Sequence, residues 1–190
     1  MSAPSGEYPS GAIAYGQETM AAWVAGGSDR LAELTTPEAL AELTKTSGPA
    51  DPSYRYALCE GAAGSQYCTF FNGQGDELLM RMRNEHVGHA HAVIDVRYQP
   101  VAYPPAPDPY VESYLLAWMI ANWPRMGALC TPEVLDYVRT LTVPVRWTLD
   151  SQGATGHTYV HITNLEGFDE TVRVTNAYLR QPHAITDITD

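Results

Sequence analysis

The sequence predicts an α+β protein of two tandem α-α-β-β-β-β repeats, each with helices packed on a curved antiparallel sheet. Three observations carry this prediction. Residues 61–84 recur at 153–176 without a gap, a helical pattern recurs earlier in each copy, and alternating apolar residues follow each helical pattern. Because one repeat alone would bury only a modest core, we expect the two to pack together with pseudo-twofold symmetry.

The strand half of the repeat is the clearer one. Residues 61–84 read GAAGSQYCTFFNGQGDELLMRMRN and residues 153–176 read GATGHTYVHITNLEGFDETVRVTN. The glycines of both copies predict the turn of a β-hairpin. In the first copy, strands are predicted at 54–60, 66–72, 77–84 and 92–98, the last with Ala92, Ile94, Val96 and Tyr98 on one face.

The helical half recurs at a spacing of 95 residues, from Tyr15 and Trp23 to Tyr110 and Trp118. The first helix is predicted over 17–25, and Ser28 or Asp29 is expected to cap the next. The run 36–38 (Thr-Pro-Glu) recurs at 131–133 and predicts a third helical start, with threonine as its N-cap and proline in its first turn.

These patterns divide the chain into four parts. Residues 1–12 are small, polar and rich in proline and glycine, which predicts a flexible tail. The first repeat is predicted over 13–99 and the second over 110–190. Between them, residues 100–109 hold a proline-rich linker.

The charge of the chain excludes some classes of partner. Its 190 residues carry a net charge of −11, so phosphate backbones and anionic lipid would be repelled. The chain has no apolar run long enough for a membrane span. It also lacks the motifs of a phosphate loop and of a hydrolase nucleophile elbow, and we expect no cofactor.

Two of the three cysteines can meet across the predicted hairpin. If residue 61 pairs with residue 66, Cys59 faces Cys68 at a distance that a disulfide can bridge. Such a bond indicates an oxidising compartment, whereas two packed free thiols are the alternative. Cys130 is expected to be a buried thiol between helices.

Three histidines precede the fourth strand of the first repeat. His86, His89 and His91 could share a zinc or copper ion, although a solvated loop is the simpler interpretation. His91 recurs as His183, followed in both copies by an aspartate four residues later. We expect each histidine to anchor its strand to a backbone carbonyl, and Asp95 and Asp187 to pair with an arginine such as Arg81 or Arg173.

Tyrosines and tryptophans are the candidates for ligand binding, since both suit half-buried surfaces with a polar tip. The alternative is that they are core residues, which the apolar helical stripe favours for the two repeated tryptophans. The candidate set is Trp23, Tyr56, Tyr67, Trp118, Trp147 and Tyr159.

The run 22–38, AWVAGGSDRLAELTTPE, resembles the opening of the nuclear transport factor 2-like (NTF2-like, SnoaL-like) superfamily. The short repeats are also similar in size to the related cystatin-like arrangement, and the glycine hairpin resembles duplicated extracytoplasmic proteins of actinobacteria. The resemblance implies helices on a cone-shaped sheet. It does not carry over a catalytic set, because no catalytic residues of that superfamily map onto this sequence.

We therefore expect a non-catalytic protein of two NTF2-like repeats, acting outside the cytoplasm and binding another protein or a small apolar ligand. The alternative is an enzyme of the polyketide-cyclase or isomerase type with a cone-shaped pocket. A third interpretation is a dimerisation module that forms a homodimer. A cytoplasmic location is the alternative to an extracytoplasmic one.

Overall fold

The computed structural model describes residues 6–46 and 53–189 and divides into two compact units, Met1–Pro100 and Val101–Asp190. The division falls at one end of the predicted linker, but the last three linker residues already belong to a helix. Residues 47–52 and the start of the predicted tail lie outside the described residues. Within the tail, the Tyr8 ring lies under the guanidinium of Arg30, with 4.9 Å between the ring centroid and the guanidinium carbon.

Unit 1 has three helices followed by four strands. Its elements are α1 (Ala12–Val24), α2 (Ser28–Leu34), α3 (Pro37–Lys45), β1 (Arg55–Ala62), β2 (Ser65–Phe71), β3 (Glu77–Arg83) and β4 (Val93–Gln99), with one 3-10 turn (Asn84–His86) before β4.

Unit 2 has the same element order. Its elements are α4 (Pro107–Met119), α5 (Trp123–Leu129), α6 (Pro132–Val138), β5 (Thr148–Ala154), β6 (His157–Thr163), β7 (Asp169–Thr175) and β8 (Ile185–Thr189), with a 3-10 turn (Asn176–Tyr178) before β8. The α+β class is confirmed, but each unit has three helices where the repeat formula had two. The pseudo-twofold arrangement stays a prediction.

The helix boundaries differ from the sequence prediction at two places. α1 begins at Ala12, five residues before the predicted start. Ser28 and Asp29 do not cap α2, because Gly27 occupies the N-cap and both residues are already helical. The predicted cap of α3 is confirmed, since the Thr36 hydroxyl accepts a hydrogen bond from the Ala39 amide.

Each unit has one four-stranded antiparallel sheet whose strands follow the chain order. In unit 1, Gly61 lies opposite Gln66 and Cys59 opposite Cys68, as the hairpin predicted. The two cysteines form a disulfide. The turn between β1 and β2 contains Gly64 at φ +79°, a conformation that favours glycine.

The inner face of each sheet is filled by apolar side chains beneath the helices. In unit 1, Leu78, Met80 and Met82 are completely buried, as their alternation predicted. The prediction that Ile94 and Tyr98 lie on the inner face of β4 is wrong. A β-bulge opposite Arg81 and Met82 shifts the register, so Val93 and Val96 face the core and Tyr98 is exposed.

A buried tyrosine ties the first helix of each unit to the segment before the last strand. The Tyr15 hydroxyl donates to the His89 carbonyl at 2.8 Å and accepts from the Ala92 amide at 3.3 Å. In unit 2, the Tyr110 hydroxyl donates to the Gln181 carbonyl at 2.8 Å and accepts from the Ala184 amide at 3.3 Å. These tyrosines satisfy backbone groups that burial would otherwise leave unpaired.

Candidate functional site

Two of the candidate binding residues are core residues. Trp23 is 8% exposed and packs against Tyr54, with ring centroids 5.9 Å apart. Trp118 is 1% exposed and lies between the rings of Tyr114 and Phe168. Because both indoles are buried, these two tryptophans are core residues, as the alternative interpretation of the sequence stated.

Tyr56 lies on a surface groove of unit 1 with a volume of about 420 Å³. One face of α1 forms one wall, and β1 and β2 form the other. Tyr56 packs edge-on against Phe70, with ring centroids 6.0 Å apart. The groove is lined by Gln17, Met20, Ala21, Val24, Ala25, Tyr54, Tyr56 and Phe70.

Tyr67 and Tyr159 occupy matched places on β2 and β6, each directly opposite an arginine of the next strand. The Arg81 guanidinium lies 5.7 Å from the centre of the Tyr67 ring, a cation–π arrangement. Tyr159 is exposed and lines a shallow depression with Asp150 and His161. Tyr67 is not among the residues that line the groove of Tyr56.

Trp147 marks a more distinctive surface at one end of unit 2. It lines a depression of about 410 Å³ together with Val145 and Leu165. Leu165 is fully exposed and Val145 is 56% exposed. We call these three residues the apolar rim. Arg146 lines the same depression and has a left-handed backbone at φ +62°, a strained conformation for a residue with a side chain.

The β6–β7 turn holds Leu165 in place. The Asn164 side-chain oxygen accepts hydrogen bonds from the Glu166 and Phe168 amides, both at 2.9 Å. The backbone amide of Asn164 also donates to the Phe168 carbonyl at 3.1 Å. These bonds restrict the backbone of the turn that carries Leu165.

A cleft of about 390 Å³ adjoins the depression lined by the apolar rim, and Asn164 and Glu166 line both. Its apolar walls include Leu141, Val143 and Phe168. Three carboxylates also line it, those of Glu166, Asp169 and Glu170. Glu170 is only 7% exposed, whereas Asp169 contacts the His161 ring at 3.2 Å. We call these three carboxylates and their apolar walls the acidic cleft.

Unit 2 also buries polar groups within its core. Burial, followed by the neighbouring Cys130 and Glu170, raises the pKa of Tyr114. Its hydroxyl has no hydrogen-bond partner among the described residues. Burial also raises the pKa of Cys130 and that of Tyr110 to about 12. All three groups therefore stay protonated at neutral pH and are poorly suited to act as a general base or a thiolate nucleophile.

The three histidines of the predicted metal site are not brought together. Among the described residues, no group of three His, Cys, Asp or Glu side chains is placed to hold a metal ion. His91 instead contacts the Thr35 carbonyl through Nδ1 at 2.7 Å, which is the predicted strand anchor. His86 contacts Glu85 at 3.6 Å.

The predicted aspartate–arginine pairs are partly observed. Arg173 lies 3.8 Å from Asp187, directly across β7 and β8. In unit 1, Arg81 is opposite Asp95 in register but donates to the Ser65 hydroxyl, while Asp95 pairs with Arg97. Arg30 bridges Glu18 and Glu33, which joins α1 to α2.

Within the described residues, none of the helices combines the length and apolar character that a membrane crossing requires. Comparison with protein-family models, with curated proteins and with solved structures found no match.

Sequence reasoning singled out Trp147 but missed Leu165 and the three carboxylates. A signal was present, because Leu165 stands where the first copy has Gly73 and Glu170 stands where it has Leu78. A large apolar residue in a turn and a carboxylate in a buried strand both depart from the pattern. Such departures are typical of surfaces retained for binding.

Proposed function

We propose that this chain is a non-catalytic binding protein of two tandem NTF2-like or cystatin-like repeats, which recognises a protein partner through the apolar rim of unit 2. The observation that carries the proposal is the fully exposed Leu165, held on a pinned turn beside Val145 and Trp147. Exposed apolar side chains grouped around a depression, with a tryptophan among them, are typical of protein interaction sites.

The repeat origin is supported by backbone bonds as well as by sequence. Asn72 accepts from Gln74 and Asp76 as Asn164 accepts from Glu166 and Phe168, at the same spacing. The tyrosine bridges of the two units also match. These shared bonds stabilise the turns and the core contacts of both units. The exposed residues outside these bonds differ between the two units.

A location outside the cytoplasm is supported by the disulfide between Cys59 and Cys68, since such bonds persist in oxidising compartments. The localisation is tested by trapping free thiols in intact cells of the source. A trapped, reduced Cys59 in freshly lysed cells would contradict this part of the proposal.

The binding role is tested by selecting peptides from a random display library on the purified full chain. Enriched peptides are expected to lose at least about tenfold in affinity for a Leu165→Ser variant, because an apolar hot spot contributes about 1–2 kcal/mol or more. Leu116→Ser is the matched control, since Leu116 is half exposed on α4 of the same unit. Equal binding to both variants would contradict the proposed site.

A second candidate function is the binding of a small apolar molecule in the groove of unit 1. Its volume lies in the range of small-molecule sites, and aromatic rings line one wall. Aromatic fragments are expected to raise the melting temperature of the wild type but not that of Ala21→Phe, which fills the groove. Ala41→Phe, on exposed α3, is the control. A fragment that stabilises Ala21→Phe equally binds elsewhere.

The enzyme alternative needs an open cone with inward polar groups of suitable pKa. The inner faces of both sheets are instead filled with apolar side chains, including Met80 in unit 1 and Val172 in unit 2. Burial raises the pKa of the Tyr114 hydroxyl and of the Cys130 thiol, so these two groups of unit 2 are held in their protonated forms. These features favour the binding role.

A further inference from the structure

β5 is an edge strand of the sheet in unit 2, and within the described residues no strand lies along its outer side. Ala154 pairs with His157 across a two-residue turn, and hydrogen-bonded pairs alternate with non-bonded pairs along an antiparallel ladder. Leu149, Ser151 and Gly153 therefore point their backbone N–H and C=O groups away from β6. Such a row of outward donors and acceptors can pair with a further extended chain.

The other described sheet edges are bridged or irregular, whereas β5 is neither. A parallel bridge from Thr35 occupies the start of β4, and one from Cys130 occupies the start of β8. β1 has a bulge between Tyr56 and Leu58, and bulges protect an edge against pairing. β5 has a regular register, no proline and one charged residue, Asp150. Among these edges, β5 is therefore the best template for an added strand.

The edge of β5 continues into the apolar rim. Val145 and Trp147 directly precede Thr148, the first residue of β5. Thr148 pairs with Thr163, which lies next to the turn that carries Leu165. A segment of about ten extended residues spans about 34 Å, which is about 10 Å more than the seven residues of β5. One such segment can therefore cover the edge and reach the rim.

We propose that the partner supplies an extended segment that pairs antiparallel with the outer side of β5 and places an apolar side chain on the rim. The inference rests on the proposed binding role of the rim and names the form in which the partner binds. Backbone bonds to Leu149, Ser151 and Gly153 contribute affinity, and the rim selects the apolar residue. Antiparallel addition continues the pairing pattern of the whole sheet.

A segment of another protein fits this edge better than a second copy of the chain. Self-pairing centred on Ser151 would bring its acidic neighbours from both copies together. These are Asp150 and Asp108, whose carboxylate accepts a hydrogen bond from the Ser151 hydroxyl. Each copy also carries a net charge of −11, so two chains repel each other. We therefore expect a partner segment without acidic residues opposite this part of β5.

The test uses peptides of about ten residues that are enriched from a random display library on the purified full chain. Each enriched peptide is synthesised again with N-methyl groups on alternate residues, in two sets that differ by one position. Because successive N–H groups of a strand point to opposite sides, only one set blocks the bonds to β5. In fluorescence polarisation, we expect that set to weaken binding by at least about tenfold and the other set by less than about threefold.

A proline variant tests the protein side of the same bonds. Gly153→Pro removes an outward N–H group without removing a bond to β6, and a Cβ at this position meets nothing within 4 Å. We expect it to weaken the enriched peptides by at least about fivefold. Gly61→Pro is the matched control, because Gly61 lies opposite Gln66 on β1 as Gly153 lies opposite Thr158 on β5.

Hydrogen exchange of the wild type, followed by NMR, tests the pairing without any variant. The amides of Leu149, Ser151 and Gly153 are expected to exchange at least about tenfold more slowly in the peptide complex. The amides of Asp150 and Gln152 already bond to β6, so their exchange should change less. Unchanged exchange at the outward amides of a saturated complex overturns the pairing, and this measurement decides the question if Gly153→Pro does not fold.

The outcomes distinguish this inference from the proposed function. Binding that depends on Leu165 but is equally affected by the two N-methylated sets overturns the strand pairing and leaves the binding role standing. Absence of any binding that depends on Leu165 overturns both. A dimer in sedimentation velocity that Gly153→Pro dissociates makes the occupant a second copy of this chain and also overturns the proposed partner.

Discussion

The two units share their framework, and two of their differences lie in a β-turn and among the residues buried beneath the helices. At the turn, Gly73 of unit 1 stands where unit 2 exposes Leu165 on the same asparagine-pinned backbone. In the core, unit 1 has leucine where unit 2 has Glu170. One framework therefore accommodates a buried leucine and a glycine turn in unit 1, and a buried carboxylate and an exposed leucine at the same positions in unit 2.

The buried strand position should give the largest effect. Leu78→Glu is expected to lower the free energy of unfolding of unit 1 by more than about 3 kcal/mol, because a buried carboxylate replaces a fully packed side chain. Urea unfolding, followed by hydrogen exchange of β3 and β7, separates the two units.

The disulfide is the next difference between the units. Cys59→Ser with Cys68→Val copies the Ser151–Val160 pair of unit 2 and should cost unit 1 about 2–4 kcal/mol. Reductant should lower the melting temperature of the wild type and leave that of the double variant unchanged. An equal response of both proteins to reductant would show that the bridge does not stabilise unit 1.

The tyrosine bridges test what the units share. Tyr15→Phe and Tyr110→Phe each remove a hydroxyl that joins a carbonyl and an amide, so each should cost about 1–3 kcal/mol. We expect the losses to agree within about 1 kcal/mol, with faster hydrogen exchange at Ala92 or Ala184 respectively. A loss confined to one variant would mean that only one unit depends on its bridge.

The smallest expected effect is a difference in pH dependence. Burial raises the pKa of Cys130 from 9.0 and that of Tyr110 from 10.0 to about 12, so folding favours their protonated forms. Their stabilising effect is complete below the unfolded-state pKa values and is lost as the pH rises towards 12. Unit 2 should therefore weaken with rising alkaline pH.

Cys130→Thr, which introduces the residue of the matched position Thr35, should reduce the alkaline slope of unit 2 without abolishing it. Urea unfolding at several pH values between 8 and 11 gives that slope. An unchanged slope would show that Cys130 is equally acidic in the folded and unfolded chains.

The candidate site was harder to predict than the fold. Trp147 was a candidate from its residue type, whereas the apolar helical stripe already favoured core positions for Trp23 and Trp118, and both are buried. Leu165 and Glu170 lie in one surface because the β6–β7 turn folds back towards the segment 141–148. Nothing in the linear spacing of those two segments indicates that proximity.

The local framework was determined by the sequence alone. The order of helices before strands, the hairpin register and the facing positions of Cys59 and Cys68 follow from periodicity, turn glycines and pairing across a short loop, which act over a few residues. Only the tertiary structure decided which face of β4 points inward, because the bulge opposite Arg81 and Met82 depends on pairing with β3. It likewise decided that Leu165 is exposed and Glu170 buried, since burial depends on packing between segments that are distant in the chain.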